Sequence, residues 1–184
     1  MLSSILLSTL IATTTALPAS APNQTPPGTL AFDVSSDPAS PIYVPVVLST
    51  NGTAGTYVLK GERPSVYTGT PFNFVSTPIN APAPTELYFI IDDFNAGAQV
   101  PDVGSGSTAV TAGPVLAVAG SQGDARWYES DGMVQHVKLD PRQGFFACNS
   151  NVEGEQIDVL SWGVEGVDGE VPVGCRKTTV IVRQ

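Results

Sequence analysis

The residues of this chain that could do chemistry are few and widely spaced. One histidine is present, His136, so a Ser-His-Asp or Cys-His hydrolase would have to be built around it. No Gly-x-Ser-x-Gly sequence accompanies it. Over residues 133–139 the pattern has period two: Met133, Val137 and Leu139 share one face, while His136 and Lys138 share the other. That pattern turns His136 away from the core. Asp92 and Asp93 close an apolar run as a carboxylate pair, the residue type that glycosidases use in twos. Adjacent strand residues point to opposite faces, however, so a turn-forming role is the expectation for these two. With Asp102 they would offer oxygen ligands to calcium, but an Asp-x-Asp-x-Asp-Gly spacing is missing. No catalytic residue, metal site or cofactor is therefore assigned. Trp127, Tyr128 and Trp162 are candidate ligand-stacking aromatics, since an exposed ring packs against the apolar face of a sugar; the alternative for each is core packing.

Cys148 and Cys175 are the two cysteines, and an even pair in an exported chain reads as one disulfide. Two thiols alone fall short of the four ligands of a structural zinc site. Asn23-Gln24-Thr25 and Asn51-Gly52-Thr53 are N-glycosylation sequons without Pro in the middle position. The formal net charge is −9, which disfavours nucleic acid and anionic membrane as partners, because both need clustered Lys and Arg. Acidic residues concentrate in 124–170, where ten carboxylates face Arg126, Lys138 and Arg142. The simplest reading of that balance is a solubilising surface.

These groups must be positioned by short strands. Residues 1–16 show an apolar stretch over 5–11 and then small residues ending at Ala16, the pattern of a removable secretory signal. The stretch is well below the roughly 20 residues that cross a bilayer. Residues 17–28 are Pro-rich and polar, and read as a flexible lead-in. From 29 to 184, Gly and Pro recur too often for any helical period to persist. Short β-branched and aromatic runs appear at 30–34, 42–48, 55–59, 72–76, 86–91, 114–119, 125–129, 133–139, 144–148, 157–164 and 178–182. They predict one all-β domain, a sandwich or barrel of about 9–11 short strands with one disulfide. Asp131-Gly132 suits a tight turn joining the strands on either side of it as a hairpin. Residues 87–91 are apolar on both faces, so that strand should be central and covered. Residues 92–113 lack a strand pattern and read as one long loop.

The C-terminal half resembles fungal secreted cell-wall proteins of the phialide (PhiA) type. The residues that carry the likeness are Leu87-Tyr88-Phe89-Ile90-Ile91-Asp92-Asp93, Trp127 before Asp131-Gly132, Gly144-Phe145-Phe146-Ala147-Cys148, Trp162 and Val171-Pro172-Val173-Gly174-Cys175. It spans about 86–184 well and 29–85 loosely. Upstream cysteines found in some members are missing, and Phe94 follows Asp92-Asp93 where a Gly turn is usual. The resemblance implies a secreted, wall-associated β-domain and transfers no catalytic residue. The expectation is thus a secreted non-enzymatic protein of the extracellular space or cell wall. The alternatives are a module binding wall polysaccharide, a secreted effector and, behind these, a glycoside hydrolase.

Overall fold

The computed structural model describes residues 28–63, 69–76, 85–91, 94–103, 109–124 and 126–183. The signal-like segment, the lead-in up to residue 27, Asn23, Asp92 and Asp93 lie outside them. The described residues form fourteen strands and no helix, so the all-β expectation holds. The strands are β1 (Gly28–Asp33), β2 (Tyr43–Thr50), β3 (Thr56–Gly61), β4 (Pro71–Ser76), β5 (Thr85–Ile91), β6 (Phe94–Gln99), β7 (Thr111–Pro114) and β8 (Leu116–Ala119). They continue as β9 (Trp127–Ser130), β10 (Met133–His136), β11 (Gln143–Val152), β12 (Glu155–Val164), β13 (Cys175–Lys177) and β14 (Val180–Arg183). β1 begins one residue inside the expected lead-in.

Between sandwich and barrel, the strand pairings decide for a barrel. Seven strands close on themselves in the order β1-β2-β3-β8-β6-β5-β4 and back to β1, every pair antiparallel. Closure removes the unpaired edges that an open sheet of this size would present. Two additions sit on this ring. One is a three-strand arch, β14-β10-β9, which leaves β1 and returns to β5. The other grows from β3 through β12, which carries the long β11 beside it, with β13 on the far side of β11 and β7 on β12's other edge.

The interior is one continuous apolar cluster to which nearly every strand contributes. Leu30 and Phe32 of β1, Val46 of β2, Leu59 of β3, and Leu87 and Phe89 of β5 are essentially inaccessible. Burying each side chain of this size contributes about 1.5–3 kcal/mol, so this cluster dominates the stability of the fold. β5 is central, as expected, with partners on both edges, but Tyr88 and Ile90 on its second face are only half-buried.

Three expectations need correction. Residues 92–113 are not one loop: they contain β6 and the start of β7. β6 escapes a hydrophobic pattern because it is built of small residues, Ala96 and Ala98 facing the core and Gly97 facing the 121–123 backbone. A Cβ at Gly97 would collide with the backbone of Gly123, so smallness there is a packing requirement. The run 114–119 is two strands, because the chain passes from pairing with β12 to pairing with β3 and β6 at the buried Val115. β10 ends at His136 rather than continuing to Leu139, and Val137 and Leu139 are 44% and 62% exposed.

Candidate functional site

The β9–β10 hairpin places the one histidine. Asp131 and Gly132 have φ of 53° and 73°, the left-handed pair that a two-residue turn of this hand requires. That turn sets Ser130 opposite Met133 and, three pairs further along, Trp127 opposite His136. Cross-strand partners share a face, so burying Trp127 buries His136 with it. His136 is 2% exposed, which reverses the outward orientation expected from its run. Val134 and His136 form the inner face of β10; Met133 and Gln135 are the half-buried ones.

His136 sits in a cluster of rings drawn from four strands. Trp127 meets its imidazole edge-on at a centroid distance of 5.2 Å, and Trp162 of β12 does so at 5.0 Å. Phe145 of β11 completes the ring of contacts, 4.9 Å from Trp162 and 5.8 Å from Trp127. Trp127 Nε1 donates to the Ala98 carbonyl at 3.3 Å, which anchors the cluster to β6. Trp127 and Trp162 are each 2% exposed, so of the three candidate stacking rings Tyr128 alone reaches solvent, at 39%. The expected exposed aromatics are, in two cases of three, core residues.

Two clefts flank the cluster. One of about 220 Å³ lies between β10, β11 and β14, with Met133, Phe145 and Val180 among its lining residues and Lys138 and Lys177 at its rim. The other, of about 210 Å³, is lined by Val100, Pro101, Val103, Val137 and Leu139, with Asp102 and Arg126. His136, Gln143 and Trp162 line both, so they are the wall between them. Gln143 is locked in that wall by accepting the Leu139 and Asp140 amides at 2.7 and 3.2 Å.

Electrostatics keep the wall neutral. His136 Nε2 lies 3.1 Å from Asp124 Oδ2, and both ring nitrogens are buried. Burial pushes the imidazole below its ordinary value of 6.5; the Asp124 carboxylate works the other way and Arg126 assists burial. Asp124 itself is raised by burial, but the Arg126 hydrogen bonds at 2.9 and 3.0 Å, the adjacent His136 and the Arg126 charge outweigh that and leave it lowered from 3.8. Sequence reasoning gave Asp124, Arg126, Gln143 and Phe145 no role in a site. The hairpin register was the one signal that could have found their neighbour His136.

The remaining candidates lie elsewhere. Cys148 and Cys175 are disulfide-bonded across the β11–β13 pair, directly opposite one another. Asn51 is exposed in the β2–β3 turn, and Asp102 is exposed beside the second cleft. No family model, curated protein or solved structure matches this chain. The likeness to the phialide wall proteins accordingly rests on the residues quoted for it.

Proposed function

We propose that the chain is exported and serves as a non-enzymatic, wall-associated protein of the fungal type. The observation that carries this reading is the Cys148–Cys175 bond, which uses both cysteines and leaves no free thiol. Such bonds persist in oxidising compartments, and the N-terminal pattern supplies a route there. The sealed His136 supports the non-enzymatic part, because the residue any hydrolytic triad would need is committed to packing. The acidic surface suits a soluble extracellular barrel. Fractionation of the producing organism into wall, medium and cytosol tests the reading. Recovery in wall or medium is the expected result; recovery in the cytosol alone refutes it.

Polysaccharide recognition keeps one structural argument. Tyr128 stands exposed on β9 with its hydroxyl held by Gln135 Oε1 at 2.8 Å, which presents a fixed ring to solvent. Retention on insoluble chitin or β-glucan that is lost in Tyr128→Ala would support this second reading. No retention on either polymer removes it.

A further inference from the structure

The largest of the grooves described lies away from the ring cluster, beneath the Asn51 sequon. It has a volume of about 430 Å³ and runs between the β2–β3 turn and the tip of the β11–β12 hairpin. Val58, Pro114, Val152 and Val159 give it an apolar lining, with Thr50, Asn51 and Glu153 among the polar residues at its edge. Glu153 fixes one side of the groove to the other, accepting from Thr50 Oγ1 at 2.7 Å and from Ser49 Oγ at 3.3 Å. Asn51 is exposed, and its Oδ1 accepts the Thr53 amide at 3.0 Å, so the sequon is held as one compact turn on the groove's rim.

We infer that Asn51 is N-glycosylated and that the first sugar of its glycan lies in this groove. The inference rests on the export reading, since the modification is made in the secretory pathway. The Asn51 amide nitrogen attacks C1 of the first N-acetylhexosamine of a lipid-pyrophosphate-linked oligosaccharide. The C1–N bond forms as the C1–O bond to the pyrophosphate breaks; the lipid pyrophosphate leaves with the electron pair, and the displaced amide proton passes to base. The groove matches the product in size and character. A dry cavity of about 150 Å³ holds one benzene ring of six heavy atoms, so this groove has room for about one N-acetylhexosamine, the sugar attached to the asparagine. Its valines meet the apolar face of that ring, while Thr50 and Glu153 meet its hydroxyl and amide groups. Asn51 lines the groove, so the occupant is tethered at the groove itself and pays little further ordering entropy on seating.

The test uses the full chain carrying Asn23→Gln, secreted from a glycosylating eukaryotic host behind that host's own leader. Any glycan then reports on Asn51, and the result does not depend on whether residues 1–16 direct export. Mass spectrometry should show Asn51 occupied. Peptide-N-glycosidase should release the glycan more slowly from the native than from the denatured protein. Its removal should lower Tm by about 2–4 °C, the scale of one modest contact set in a domain of 150–250 residues. Val152→Lys keeps the sequon and puts a charge into the groove, so it should stay glycosylated yet show no Tm difference between glycosylated and released forms. An unoccupied Asn51, an equal Tm with and without the glycan, or a Val152→Lys protein that keeps the full difference would each overturn the inference. Failure of the export reading would appear separately, in the wall fractionation.

Discussion

Because the chain has a single histidine, the pH dependence of stability between the carboxylate range and neutrality isolates one buried group. His136 is 2% exposed and its folded-state pKa is held below 6.5, first by burial. Below pH 6.5 the unfolded chain therefore binds a proton that the folded chain refuses. The unfolded state binds more protons in that window, so stability rises with pH and falls on acidification. Between 6.5 and the depressed folded value the slope is bounded by one proton's worth, about 1.4 kcal/mol per pH unit. With a urea m-value of about 2 kcal/mol/M, the midpoint should fall on acidification by at most about 0.7 M per pH unit. Asp124 and Asp33 are lowered from 3.8, so their contributions are lost only at lower pH and do not contaminate the window. The assay is urea denaturation followed by tryptophan fluorescence at half-unit steps from pH 7 to pH 5. His136→Phe keeps a ring between Trp127 and Trp162 and should flatten the dependence there. A wild-type midpoint that stays constant over the window refutes the reasoning, and so does a variant that retains the wild-type slope.

Removing the disulfide as Cys148→Ala with Cys175→Ala opens a loop of sequence separation 27, and calorimetry should show a loss of about 3–4 kcal/mol. Gly163→Ala should cost about 1–3 kcal/mol, since its Cβ would strike the Thr111 carbonyl and the Ala112 side chain on β7. Gly144→Ala is the matched control on the neighbouring strand: its Cβ meets nothing closer than Lys138 Nζ at 4.0 Å, so its denaturation midpoint should not fall. Gly132→Ala, at φ 73° in the β9–β10 turn, should cost about 1 kcal/mol, and a midpoint equal to wild type would show that the hairpin tolerates another turn.

Much of the barrel was legible because its larger strands carry β-branched and aromatic residues between turn formers. The Asp131-Gly132 hairpin was legible for a stronger reason, a turn chemistry with one favoured geometry. β6 was not, because its sequence Phe-Asn-Ala-Gly-Ala-Gln is selected for thinness against the 121–123 segment, a tertiary demand that leaves no local pattern. β13 is a three-residue strand whose place depends on Cys175 meeting Cys148, and the cysteines predicted the bond but not the strand. The orientation of His136 was misread from the alternation of its own run, where Val137 and Leu139 look like core residues. The correct answer was available one step away. Once the hairpin register is written out, Trp127 lies opposite His136, and a buried tryptophan carries its partner inward.

That pairing also explains what the gathered rings do for the fold. Trp127 ties β9 to β6 through the Ala98 carbonyl, His136 brings in β10, Phe145 brings in β11 and Trp162 brings in β12. The cluster therefore joins the β14-β10-β9 arch to the β11–β12 extension. No strand pairing makes that connection, because β9 and β10 are not hydrogen-bonded to β11 or β12. Aromatic rings bury the largest area per residue and need few side-chain torsions fixed, which suits them to a junction without a backbone ladder. Burial of the imidazole between the two indoles disfavours its charged form. The burial that lowers the His136 pKa is also what makes this junction sensitive to acid.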